Sequence, residues 1–221
     1  LLREKIFDNI WIQPAAGDAG GALGAALSTW YLHYKKKRVT SSERDAMKGS
    51  FLGPEYSDSE IKADLETCGA VYKKLTKDEL IAEVADALVD KKAIGWMQGR
   101  MEFGPRALGG RSIIADPRSP SMQKQLNLKV KYRESFRPFA PSVLYEDVNE
   151  WFEHETSSPY MLIVAKVKKD KCRTMTQEES SLFGIDKLNI ARSSVPAITH
   201  VDYSARIQTV HADTNSSYYA V

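Results

Sequence analysis

The sequence predicts an α/β fold in which helices flank a twisted, mixed sheet, and three observations carry that prediction. Thr76-Lys77-Asp78-Glu79 has the form of a capping box and opens a helical stripe of Leu80, Ile81, Val84, Ala85, Leu88 and Val89. The apolar runs KAIGWMQ and SIIAD follow, punctuated by glycine and proline as strands are. Farther along, SPYMLIVAKVKK and PAITHVDYSARIQTVH are preceded by the short helical pattern VNEWFE. Strands interleaved with helices define the class.

Taken in order, residues 9 to 38 begin with the short apolar run IWIQ, pass through a glycine-rich turn and continue with Leu23, Leu27, Trp30, Tyr31 and Tyr34 at helical spacing. Strand, tight turn, helix is the economical assignment. Residues 39 to 75 are polar and turn-rich, so they form a connector with one short helix, and the chain divides into 1–38, 39–75 and 76–221. From Thr76 a helix runs to about Lys91, followed by the two strands. Ser119-Pro120 offers an N-cap and a first-turn proline, and Met122, Leu126 and Val130 line up beyond it, predicting a helix over 120–131. RPFAPSVLYED is then extended, VNEWFE helical, SPYMLIVAKVKK a strand, and PAITHVDYSARIQTVH an extended pair or one long strand.

Composition bounds the function. With 221 residues, 43% of them hydrophobic and 10% aromatic, the chain can bury an ordinary globular core. A net charge of +2 and a pI near 8.4 argue against a general nucleic-acid binder, for which about 9 or more is expected. No window approaches the roughly 18 apolar residues of a membrane span, and Leu1-Leu2-Arg3-Glu4-Lys5 is not a secretory leader, so a cytoplasmic chain is expected. Cys68 and Cys172 form no CxxC and read as free thiols. His33, His154, His200 and His211 show no metal-binding spacing, and His200 in THVDYSAR is the one singled out for attention. The sequence leaves a homodimer open.

The chemistry concentrates between Gly99 and Arg137. Arg100, Arg106, Arg111, Arg118, Lys124, Lys129, Lys131, Arg133 and Arg137 face only Glu102, Asp116 and Glu134 there. A solvated cationic face is the usual fate of such a run. Three features point elsewhere. Many of these cations adjoin glycine or proline, where the backbone is fixed and a side chain can be aimed. Arginine dominates the loops, and a guanidinium pairs with phosphate or carboxylate through two parallel bonds. Lys131, Arg133 and Arg137 fall between an apolar helix and a proline-punctuated strand, at an element edge. Together they predict a pocket for a small, multiply charged anion, phosphate being the natural candidate. Glu102 suits the part of orienting a neighbouring arginine better than that of a general base.

The turn PAAGDAGGALGAA sets Gly17, Gly20, Gly21 and Gly24 around Asp18 at a helix start, where backbone amides can approach phosphate. A carboxylate there repels an anion unless a metal bridges the two. Close packing by small residues explains the turn equally well.

GWMQGRMEFGPRALGGRSIIADPR, NLKVKYRESFRPFAPSVL and VPAITHVDYSARIQTV resemble the C-terminal part of the O-carbamoyltransferases of antibiotic and nodulation-factor biosynthesis. IWIQPAAGDAGGALGAAL resembles the end of the same family's N-terminal domain. The resemblance implies a YrdC-like domain over 76–221, preceded in 1–38 by the strand-turn-helix end of an actin-like ATPase-fold domain. It implies that carbamoyl phosphate and ATP become carbamoyladenylate in the YrdC-like part, for transfer to a hydroxyl of a small acceptor. It assigns the cationic pocket to Arg106, Lys131, Arg133 and Arg137, with Arg100, Ser204 and Arg206 as further contacts to substrate or nucleotide. Asp18 falls on the aspartate that binds a divalent metal, iron or magnesium, in the upstream domain. Tyr203 stands where the family usually has glycine, and the family's metal histidines and its NTSFN motif are missing. A fragment unable to complete transfer alone is therefore expected. The rival from another class is a non-catalytic, YrdC-like RNA-binding module, against which Phe103, Tyr132, Phe136 and Phe139 read as core aromatics.

Overall fold

The computed structural model describes residues 1–40 and 45–221 as a mixed α/β chain with two small sheets. Three of its helices open on a capping box that the sequence encodes, one of them Gln177–Ser181 behind Thr176 and Glu179. Helix α2, Asp58–Thr67, begins at Ser57, whose Oγ accepts from the Glu60 N–H while Glu60 accepts from the Ser57 N–H at 2.8 Å. Helix α3, Lys77–Val89, repeats the device with Thr76 and Glu79. Its apolar stripe turns inward at Val84, whereas Val89 is 65% exposed at the far end. Helix α1, Asp18–Ser28, continues into a wider turn over Thr29–His33.

Strands β1, Ile94–Met97, and β2, Arg111–Ile114, pair antiparallel with Ile94 opposite Ile114. The second sheet has the order β3-β5-β4, made of Ser142–Leu144, Ser204–Val210 and Ile163–Lys166. It is mixed, because β5 runs parallel to β3 and antiparallel to β4. Side chains alternate along β5, so Ala205 and Ile207, both 0% exposed, enter the main core with Val148, Phe152, Ala165, Val167, Val195 and Ile198. Ser204, Arg206 and Gln208 point to the other face. A second cluster joins Met47, Leu108 and Tyr160 with Leu23 of α1, tying the N-terminal segment to the arginine-rich loop.

Several expectations are corrected. Residues 9–13 form no strand: they pair with no other strand among the described residues, and Ile10, Trp11 and Ile12 lie exposed. A strand is completed by a partner's hydrogen bonds, which local apolarity cannot supply. Of SPYMLIVAKVKK only Ile163–Lys166 is strand, since Met161 takes φ 53° and breaks the extended run. PAITHVDYSARIQTVH divides into a 3₁₀ turn at Pro196–Ile198 and the strand β5. The helix after Ser119-Pro120 starts later, as α4, Met122–Leu126, and widens into a turn over Asn127–Lys131. Short helices α5 (Val148–Trp151), α6 (Gln177–Ser181), α7 (Gly184–Leu188) and α8 (Ser216–Ala220) complete the chain, the last three unanticipated.

Tyr203 explains the departure from glycine in physical terms. It sits at φ 63° in the tight turn before β5, where its N–H reaches the His200 carbonyl at 3.0 Å. A side chain there costs about 1–2 kcal/mol, and glycine removes that cost while losing about 0.5–1 kcal/mol to unfolded-state entropy. Tyr203→Gly is expected to leave stability within about 1 kcal/mol of the parent, whereas β-branched Tyr203→Val lowers it by about 2 kcal/mol in urea titrations.

Candidate functional site

Loop 102–111, between β1 and β2, is built around a buried carboxylate. Glu102 Oε1 accepts from the N–H groups of Leu108 at 2.6 Å, Gly110 at 2.8 Å and Arg111 at 3.3 Å. Its Oε2 accepts from Arg111 Nε at 3.1 Å. Arg111 also donates to the carbonyls of Glu102 and Gly104, so its fork is occupied within the loop. Glu102 thus orients an arginine, as expected, and also holds three backbone amides. The Leu108 carbonyl accepts from Gln208 of β5 at 2.7 Å, which fixes the loop against that strand.

Arg106 stands exposed on this loop, and Arg206 lies half-buried two residues before Gln208 on the same face of β5. Burial lowers the affinity of Arg206 for its proton, and the nearby Arg106 charge lowers it further. Among the described residues neither guanidinium has a hydrogen bond or an ion pair. Two cations near each other without a counter-charge are suited to an anion.

Ser204 begins the same strand, buried, with its Oγ donating to Asp202 Oδ1 at 2.6 Å and lying 3.1 Å from His200 Nδ1. Burial pulls the His200 pKa down; Asp202 opposes that shift and Arg206 reinforces it. Hydrogen bonds from Ser204 and Lys166 hold Asp202 far below the ordinary carboxylate range. None of Arg106, Lys131, Arg133, Arg137 and Arg206 lines the cavity of about 490 Å³ that Ser204, His200 and Thr199 share with a wall of Phe136 and Pro138.

That wall belongs to loop 131–138, which Asn127 organises. Fully buried, its amide donates to the carbonyls of Ser135 at 3.1 Å and Arg137 at 2.7 Å and accepts from Arg133 Nε at 2.5 Å. Arg133 lies over the Phe139 ring at 4.9 Å. Arg137 is exposed and pairs with Glu134 at 2.8 Å. Lys131 is exposed and has no partner among the described residues.

The predicted residues therefore fall into groups. Arg106, Arg206 and Ser204 gather at the start of β5, while Lys131, Arg133 and Arg137 share the Asn127 loop. Arg100 stands apart, donating to the Gly53 carbonyl and paired with Glu55. Asp18 is exposed at the start of α1, and no group of three metal-binding side chains occurs among the described residues. One carboxylate does not make a metal site. A larger cavity of about 760 Å³, lined mainly by apolar residues such as Leu88, Ile113, Met122, Phe139 and Tyr218, includes Arg118, which Asp116 pairs at 2.8 Å, but none of Arg100, Arg106, Lys131, Arg133, Arg137 and Arg206. Of the aromatics expected in the core, Phe103 and Phe139 are partly buried, but Phe136 is 38% and Tyr132 86% exposed, the latter at φ 48°. The left-handed turn ending the helix swings Tyr132 away from the apolar line.

Sequence reasoning missed Asn127 and Gln208, whose only signal was a polar residue in an otherwise apolar periodic run. No described helix is long and apolar enough to cross a membrane.

Comparison with known proteins gives the family. An uncharacterized protein of Synechocystis is 58% identical across 99% of this chain, which covers 36% of that relative. Nodulation protein NolNO of Sinorhizobium fredii is 40% identical over 100% of the chain and 29% of its own length. Nodulation protein NolO of Bradyrhizobium diazoefficiens is 38% identical over 100% and 36%. The chain thus spans about a third of the length of the curated relatives it matches. The carbamoyltransferase N-terminus family model matches residues 1–27, and the carbamoyltransferase C-terminus model matches residues 85–221. Because the second match covers more than half of the chain, this protein belongs to the carbamoyltransferase family.

Proposed function

We propose that this chain is the C-terminal region of an ATP-dependent O-carbamoyltransferase. In this reading it binds carbamoyl phosphate and ATP and forms carbamoyladenylate for transfer to a hydroxyl of a small acceptor. The observation that carries it is the pair Arg106 on loop 102–111 and Arg206 on β5, near enough for one charge to act on the other and without a carboxylate partner among the described residues. Both substrates are polyanions, and fixed guanidiniums would offset charge on transferring phosphoryl oxygens without moving a proton. Lys131, Arg133 and Arg137 would serve the same charge from the Asn127 loop, with Arg100 and Ser204 as outer contacts. Asp18 would give one ligand to a divalent iron or magnesium. A cytoplasmic setting suits these substrates.

Thermal unfolding with saturating carbamoyl phosphate or ATP tests the reading. A ligand at about 100 times its Kd stabilises by about 2.7 kcal/mol, so a clear rise in melting temperature is expected. Arg106→Ala and Arg206→Ala should each weaken carbamoyl phosphate about tenfold while still folding, as loss of one charged contact does. Equal stabilisation of the parent and both variants would reject the pocket. The exposed Tyr132, between Lys131 and Arg133, favours one alternative, a single-stranded RNA contact. Steeply salt-dependent RNA binding, with no response to ATP or carbamoyl phosphate, would replace the first reading.

A further inference from the structure

We propose that Glu102 is the positioning residue that sets Arg106 for anion binding; the inference rests on the pocket reading above. Backbone N–H groups converging on one point are how loops cradle phosphate. In loop 102–111 the amides of Leu108, Gly110 and Arg111 converge in this way, but on the loop's own carboxylate. The Glu102 side chain is 0% exposed, so an outside anion cannot share that cradle. Arg111 is likewise occupied, bound to Glu102 and to two loop carbonyls. Of the two arginines in the loop, Arg106 alone keeps its charge free of partners among the described residues.

The carboxylate therefore has two consequences. It supplies the counter-charge that lets Arg111 brace the loop instead of repelling Arg106. It also fixes the backbone on which Arg106 rides, and the Gln208 bond to Leu108 registers that backbone against Arg206. Glu102 reaches no substrate itself: its action passes through Arg106.

A double-mutant cycle decides the matter, using inorganic phosphate as the probe and calorimetric titration well below every melting temperature. Glu102→Gln keeps the shape and removes the charge, and should weaken phosphate about tenfold in the parent. In the Arg106→Ala background the same change should leave phosphate affinity unaltered, although it lowers the melting temperature equally in both backgrounds. A purely structural Glu102 would lower the melting temperature and leave affinity unchanged, and that result overturns the proposal. Equal affinity losses in both backgrounds overturn it too, because the effect then bypasses Arg106. If Arg106→Ala alone leaves phosphate affinity intact, the pocket reading fails and takes this one with it, a pattern distinct from the other two. Should Glu102→Gln not fold, Arg111→Lys is read in the same cycle. It removes the Nε bond and spares the backbone cradle, with a loss of about threefold expected in the parent and none with Arg106→Ala.

Discussion

Asn127→Ala is expected to destabilise the protein by about 3 kcal/mol and to loosen the loop that carries Lys131, Arg133 and Arg137. The side chain is 0% exposed and makes three bonds, to the Ser135 and Arg137 carbonyls and from Arg133 Nε. Alanine leaves two carbonyls and a guanidinium nitrogen without protein partners. Each buried polar group so stranded costs about 1–3 kcal/mol, and water reaching this half-exposed loop keeps the sum near the lower end. The loop opens before the rest of the molecule, because the Asn127 amide supplies two side-chain bonds to its carbonyls and, among the described residues, only that from Gln123 to the Phe136 carbonyl, at 2.7 Å, remains. Trypsin under native conditions should therefore cut after Lys131 and Arg133 sooner than the global unfolding rate allows. Asn127→Asp separates the contributions: it keeps an acceptor for Arg133 but turns a carboxylate toward two carbonyls, so it should lose nearly as much stability as alanine. A loss below about 1 kcal/mol for Asn127→Ala would mean that the loop holds itself without the amide.

That residue also marks where sequence reasoning stops. The capping box at Thr76 and Glu79 was legible because both halves lie within one turn, and the structure forms both bonds. The strand character of SARIQTV and the mixed sheet were legible for a similar reason, since alternation is local. Asn127 was not, because a polar residue in a helical line reads as surface until the chain has turned back from Ser135 to Arg137 to cover it. Residues 9–13 failed as a strand for the opposite reason: their apolarity is local but a pairing partner is not. Within the candidate site, the arginine-rich loops were legible from composition, and so was the orienting part of Glu102. What could not be read was which cation each carboxylate takes. Arg137 is paired by Glu134 only three residues away, and Arg111 by Glu102 nine residues away, which leaves Arg106 and Arg206 as the uncompensated pair.

Gly109→Ala should be the most damaging single methyl in the molecule, at about 4 kcal/mol. Two costs add. Gly109 adopts φ 107°, a conformation that L side chains avoid, and such strain costs about 1–3 kcal/mol. A Cβ there would also lie 2.3 Å from Tyr218 Cδ1 and 2.7 Å from its Cγ, at the base of a ring that cannot swing away cheaply. The ring is pinned, since Tyr218 Oη lies 2.8 Å from Ser142 Oγ, and overpacking of this kind costs about 1–3 kcal/mol. The backbone cannot yield either: the Gly109 carbonyl accepts from Trp96 Nε1 at 2.9 Å and Asn215 Nδ2 at 3.0 Å. Gly69 isolates the first cost, because it has φ 66° with open space around its would-be Cβ, so Gly69→Ala should lose only about 1 kcal/mol. Tyr218→Ala isolates the second: in that background the added methyl at Gly109 should lose about 2 kcal/mol less than in the parent. Denaturant titration of these variants reads both differences. Loop 102–111 carries Arg106 three residues from Gly109, so any Gly109→Ala protein that folds should also bind phosphate more weakly. Full phosphate affinity in a folded Gly109→Ala protein would show that the tip of the loop is set independently of its base.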